Sequence, residues 1–254
     1  MTVTVHAMTC GWLTMPTPFL LDNTDGTTRI PIPAYLIRHS RGNVLFDSGM
    51  SLKLQREGAA ALGELEPYFD IHFEAGEEIS ARLASLNLAP EDIDYLVSSH
   101  LHFDHCGGHG LIPNAGHVVQ KREWEAATVP ELIEANHYFP DEYDHGHERI
   151  EADGEHDLFG DGSVVCIPTH GHTPGHQSLV LETDGGKVVL CGDACYLKQT
   201  LDEMRLPAPI GINDEASMRA SLEKLKALRS AGARMMYGHD PAFWKTIPQA
   251  PASI

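Results

Sequence analysis

Apolar and polar positions alternate in TVTVHAM near the start of the chain, which predicts a half-buried strand. A loop rich in Pro, Thr and Asp is expected after it, over about residues 14–30. IPAYLIRHS and NVLFDSG, separated by Arg41-Gly42, predict a β-hairpin. GAAALGEL predicts a helix that ends before Pro67, and SARLASLNL a second helix stopped by the turn Ala89-Pro90-Glu91-Asp92. IDYLVSS has the pattern of a buried strand and delivers the chain to a His-rich loop at residues 100–105. GHVVQ predicts a strand, KREWEAA a short helix, and residues 137–158 a polar, solvated insertion. GSVVCIPT, HQSLVLET and KVVLCGD predict three further strands, the last two joined at Asp184-Gly185-Gly186. The clearest helix is EASMRASLEKLKALRSAG, with Asp214 where an N-cap belongs and Gly232 past its end. ARMMYGHD predicts a last strand. Strands outnumber helices, so the expected class is α/β, two sheets between helical layers in one domain over residues 1–254.

Composition narrows what such a domain does. With 42% hydrophobic residues in 254, the chain can bury a large core. Acidic residues outnumber basic ones 36 to 18, a formal charge of −18, which opposes nucleic acid as a partner. No apolar run approaches the ~18 residues of a membrane helix, so a membrane partner is not expected. MTVTVHAMTCGWL has no basic segment ahead of an apolar one, and the five cysteines form no CxxC pair. A cytoplasmic location with free thiols is the expectation. Sixteen histidines are the anomaly, because imidazole is the commonest metal ligand.

The chemistry concentrates in SSHLHFDHCGGHG at residues 98–110. On an extended segment His100 and His102 point the same way and can grip one ion, while Asp104 and His105 diverge towards a second. Two ions need more donors, and other predicted strands end in them: His170, His172 and His176 after GSVVCIPT, Asp193 after KVVLCG, His239 after ARMMYG. Strand carboxyl ends are where α/β folds gather their active residues.

HLHFDH, the later GHTPGH, the CGD and the final GHD, in that order from FDSG at residues 46–49 onward, resemble the metallo-β-lactamase superfamily. The resemblance implies an αββα four-layer sandwich, two mixed sheets flanked by helices, with a dinuclear site at one edge. It implies that one divalent ion takes His100, His102 and His172, a second takes Asp104, His105 and His239, and Asp193 bridges them. Zinc is the expected metal, with Fe, Co or Mn open to the same donors. The chain departs from the frequent TPGHTPGH by reading PTHGHTPGH, so His170 and His176 are expected to support the site rather than ligate.

Within the superfamily the chain is most similar to N-acyl homoserine lactonases: the motif reads HLHFDHCGG, IPIPAYLIRHSRGNVLFDSGM resembles their entry hairpin, and Tyr196 follows Asp193 by three residues like their catalytic tyrosine. That resemblance implies opening of the lactone ring of an acyl homoserine lactone by a hydroxide between the metals, with Tyr196 and Asp104 catalytic, and a homodimer is compatible with it. Other ester, thioester (glyoxalase II-like) or organophosphate hydrolysis is the alternative. The tail after His239, DPAFWKTIPQAPASI, lacks the basic helical region of glyoxalase II, and the acidic charge opposes a nuclease. An acyl chain needs an apolar slot, for which the candidates are Met8, Trp12, Met15 and Phe19 in a segment read as a lid, Tyr68 and Phe69, and Phe103. Cys106, Cys191 and Cys195 flank the ligands and are expected to be buried, inert thiols.

Overall fold

A computed structural model describes residues 2–254. In chain order its strands are β1 (Thr4–Pro16), β2 (Thr27–His39), β3 (Gly42–Phe46), β4 (Asp70–His72), β5 (Tyr95–Val97), β6 (Gly116–Gln120), β7 (Arg149–Ala152), β8 (His156–Asp157), β9 (Val164–Pro168), β10 (Gln177–Thr183), β11 (Gly186–Leu190) and β12 (Arg234–Met236). Among the described residues they form two mixed sheets, ordered β4-β1-β2-β3-β5-β6-β7 and β12-β11-β10-β9-β8.

The alternation of side chains along each strand builds the layers. In β2, Tyr35 and Ile37 face Leu179, Leu181, Val188 and Leu190 of the other sheet, forming the apolar filling between the two. The alternate residues Ala34 and Leu36 turn outward with Leu45 and Leu96 to meet Ile79 and Leu83 of the helix Ile79–Ala84. On the opposite outer face Val180 and Val189 pack against Met218, Leu222 and Leu225 of the helix Glu215–Ser230. Asp214 caps that helix, its carboxylate accepting from the Ser217 amide at 3.2 Å. The result is the expected αββα sandwich. No helix among the described residues is long and apolar enough to cross a membrane.

Three local expectations are corrected. The first strand does not end near Met8 but runs to Pro16, and β2 already begins at Thr27, so the segment read as a lid is largely ladder. A bulge between Thr9 and Trp12, at Gly11 with φ of +91°, breaks the sequence alternation without ending the strand. Residues 58–68 form a kinked 3₁₀ stretch instead of an α-helix, because Gly63 takes a positive φ of 58° inside it. The insertion at 137–158 is not merely solvated loop. It buries Tyr138 and Tyr143, adds the short helix Pro140–Tyr143, and supplies β7, which pairs in parallel with β6.

Under that insertion lies a histidine cluster that shares none of the seven metal-type donors. The His117 Nε2 and His109 Nε2 atoms lie 2.8 and 3.2 Å from the same Ser98 Oγ, and the two rings are 4.8 Å apart. Burial, then His147 and Arg149, push the pKa of His117 down to about 3. The unfolded chain, with an ordinary histidine near 6.5, therefore binds more protons than the folded one between those values. Stability is full above about pH 6.5 and is lost as the pH falls through that window. His117 alone should cost about 2 kcal/mol between pH 8 and pH 5, read as a drop in urea-unfolding free energy. His117→Gln should remove that part of the pH dependence, and a variant with the wild-type difference between pH 8 and pH 5 would contradict this.

Candidate metal centre

The parallel pairings β3–β5 and β11–β12 leave several strand ends pointing at one edge of the sandwich. After β5 the chain passes through Ser98 and Ser99 to His100 and His102, and the short helix Phe103–Cys106 then carries Asp104 and His105. The loop after β9 brings His172, the turn after β11 brings Asp193, and the loop after β12 brings His239. All seven side chains that the sequence singled out meet here, drawn from both sheets.

Their donor atoms fall into three overlapping groups, each within 4.8 Å: His100, His102 and His172; His100, His105 and Asp193; Asp104, His105 and His239. In the first group His102 Nδ1 lies 2.9 Å from His100 Nε2 and 3.0 Å from His172 Nε2, and the latter two are 3.2 Å apart. In the third, His105 Nε2 and His239 Nε2 are 3.2 Å apart. Asp193 sits between, with Oδ1 at 3.1 Å from His239 Nε2 and 3.3 Å from His105 Nε2, and Oδ2 at 3.5 Å from His172 Nε2 and 3.8 Å from His100 Nε2.

The far side of each ring fixes which nitrogen faces inward. A carbonyl oxygen only accepts, so the ring nitrogen against it carries the hydrogen. His102 Nε2 donates to the Asn136 carbonyl, His172 Nδ1 to the Gly211 carbonyl and His239 Nδ1 to the Pro31 carbonyl, each at 2.9 Å. His105 Nδ1 donates to Asp47 Oδ2 at 2.9 Å. Ser99 Oγ donates to the same Asp47 oxygen at 2.8 Å and accepts from His100 Nδ1 at 2.9 Å. In the neutral rings the inward nitrogens are therefore bare lone pairs. Those of His102 and His172 face each other at 3.0 Å.

Burial holds His100, His102 and His172 below the usual histidine range, so neutral rings prevail in that group. At His105 burial pulls the same way, but Asp193, Asp104 and Asp47 outweigh it and push the ring well above its ordinary value. Burial raises Asp193, yet His239 and His105 bring its carboxyl well below the usual carboxylate range. The buried Asp193 Oδ1 accepts no hydrogen bond. Converging lone pairs, an unsatisfied carboxylate oxygen and five externally oriented imidazoles are a donor set that calls for cations, and N/O donors of this kind suit divalent metals.

A sequence profile of the metallo-beta-lactamase superfamily matches residues 27–239. The chain belongs to that superfamily. It is 33% identical over 230 residues to the N-acyl homoserine lactonase AttM of Azorhizobium caulinodans, covering 87% of this chain and 86% of that one. An N-acyl homoserine lactonase of Bacillus cereus is 32% identical over 218 residues, 83% of this chain and 82% of its own. In structure the chain is similar to an N-acyl homoserine lactone hydrolase solved with the product N-hexanoyl-L-homoserine at its catalytic metal centre. The TM-score is 0.90 at 28% identity, with all of both chains covered. Superfamily membership and these structural relatives agree with the donor set in implying divalent metal binding.

The cleft that opens onto the cup is lined by Met15, Phe19, Tyr68, Phe69 and Phe103, together with Tyr196 and the donors His102, Asp104, His172, Asp193 and His239. Met8 and Trp12 do not reach it. Met8 is 1% exposed in the core beneath the first sheet, and both line a groove with Glu77 and Arg82 instead. Their expected contact with an acyl chain is withdrawn. Leu13, Ile30, Leu65, His137, Ile210 and Gly211 complete the wall and were not singled out in the sequence.

Tyr196 overhangs the cup, its hydroxyl 3.0 Å from His172 Nδ1. His176 stands outside the donor groups. Its Nε2 accepts from the Asp193 amide at 2.9 Å and its Nδ1 meets Thr169 Oγ1 at 3.0 Å, so it props the Asp193 turn. His170 is half-buried, with Nδ1 3.1 Å from the His176 carbonyl. The flanking thiols of Cys106, Cys191 and Cys195 are free and buried, and burial pushes each upward, Cys191 to about 12. Asp47 was missed as a functional residue although it stands in the FDSG segment. Its backbone is held at φ of +58°, unusual for a residue with a side chain.

Proposed function

We propose that this chain opens the lactone ring of N-acyl homoserine lactones, releasing N-acyl-homoserine, with two divalent ions, zinc first among the candidates. His100, His102 and His172 would hold one, Asp104, His105 and His239 the other, and Asp193 both. Divalent cations in such a cup supply Lewis acidity and make hydroxide available near neutral pH.

The protein groups do the rest. Tyr196, buried over the cup with its hydroxyl beside His172, can donate to an oxyanion forming on the lactone carbonyl. Asp104, on the cleft side of the cup, would take the proton carried in by the attacking hydroxide and pass it to the ring oxygen as the ring C–O bond breaks, leaving the acyl-homoserine carboxylate. Met15, Phe19, Tyr68, Phe69 and Phe103 give the acyl chain an apolar wall and keep water from the polar end. The observation that carries this reading is the continuity of that wall with the imidazole–carboxylate cup, which suits a substrate with a polar ring and an apolar tail.

The test is an assay of purified protein against acyl homoserine lactones, an acyl thioester and a phosphotriester, before and after dialysis against a chelator. Lactone opening, lost on chelation and restored by added divalent metal, is the expected result. Preference for the thioester or phosphotriester would transfer the reading to those substrates, and chelator-resistant turnover would overturn it.

A further inference from the structure

The helix Lys121–Ala126 turns Lys121, Arg122 and Glu125 to solvent, yet Glu123 on the same short helix is 0% exposed. A carboxylate is expensive to bury unless partners replace its water. Four donors do so. Oε1 accepts from the Leu101 amide at 3.0 Å and the Tyr138 hydroxyl at 2.6 Å, and Oε2 from the Thr173 hydroxyl and the Gly175 amide, both at 2.8 Å. Burial pushes its carboxyl upward, and these four hydrogen bonds pull it back.

The positions of those donors matter more than their number. Leu101 lies between His100 and His102. Thr173 follows His172, and Gly175 closes the same turn. Tyr138 is two residues beyond Asn136, whose carbonyl orients His102. A Cβ at Gly175 would lie 2.2 Å from the Glu123 backbone nitrogen, so the turn after His172 rests directly on this helix. Glu123 accepts no hydrogen bond from the three imidazoles, but it ties the backbone between His100 and His102 to the turn that follows His172. His105 and His239 are held from elsewhere, by Asp47 and the Pro31 carbonyl.

We infer that Glu123 is a positioning residue for the His100–His102–His172 half of the centre, fixing by its four hydrogen bonds the spacing at which those three rings take a metal ion. The inference rests on the two-ion reading above.

Glu123→Gln keeps the volume but puts an NH2 against two donors whichever way the amide turns. The test uses full-length protein loaded with Zn2+ or Co2+ and titrated with chelator. Metal content and the Co2+ absorption spectrum are followed, with circular dichroism as the check on folding. Glu123→Gln should release one ion at about tenfold to a hundredfold lower chelator than wild type and keep the other at the wild-type point. Leu225→Ala, a core change away from the centre, should lower the melting temperature without moving either release point. Tyr138→Phe removes one donor and keeps the ring, so it should shift the same ion in the same direction by a smaller factor, and it decides the matter if Glu123→Gln does not fold. Wild-type release of both ions from both variants would overturn the inference while leaving the proposed function intact. A wild-type protein that takes up no metal would overturn both.

Discussion

Asp193→Asn should abolish metal retention and lactone opening together, lowering turnover by at least about a thousandfold in a chain that still folds. Asp193 is the one carboxylate placed between both groups of imidazoles, 3.1 and 3.3 Å from His239 and His105 on one oxygen and 3.5 and 3.8 Å from His172 and His100 on the other. An amide of the same shape supplies no charge to offset two cations, and its NH2 turns donor hydrogens towards one side of the cup. The backbone support is untouched, because the Asp193 amide still reaches His176. Metal analysis beside a turnover assay checks the prediction. A variant that keeps both ions and near-normal turnover would remove Asp193 from the centre.

Tyr196→Phe should instead leave the metal in place and lower kcat by about 10²–10³, or roughly 3–4 kcal/mol, with little change in KM. The ring keeps its packing, edge-on to His172 at 5.6 Å and nearly parallel to His239 at 5.9 Å, so only the hydroxyl goes. A donor felt mainly as negative charge develops affects the rate more than the binding of the uncharged lactone. Stopped-flow or pH-stat rates at saturating lactone, with metal content measured on the same sample, separate this from metal loss. Equal kcat in the variant would mean that Tyr196 takes no part in the reaction.

The contrast between these residues and Glu123 explains how far the sequence could be read. His100, His102, Asp104 and His105 are legible because ligands are specified by side-chain type and the spacing carries geometry. His172, Asp193 and His239 are legible because each follows a recognisable strand. The groups that aim the rings are mostly main-chain carbonyls at Pro31, Asn136 and Gly211, which any residue could supply and no motif reveals. Glu123 looked like one more charged position on a polar helix, because its burial depends on where Tyr138 and Gly175 arrive from distant parts of the chain. Met8 and Trp12 were misplaced because the segment read as a lid is strand ladder, Met8 pairing with Ala34 and Trp12 with Pro31. The same strand carries Met15 into the cleft wall. Strand β7 hid within a charged stretch because it lies at the sheet edge, where two of its residues are exposed.

The donors divide by layer. Those following β5 belong to one sheet, and those following β9, β11 and β12 belong to the other. Any cation they share is therefore a clasp across the seam of the sandwich, and its binding energy adds to the cohesion of the whole fold. Catalytic competence and resistance to unfolding then draw on the same free-metal concentration, so starvation for metal would expose the chain to degradation as well as silence it.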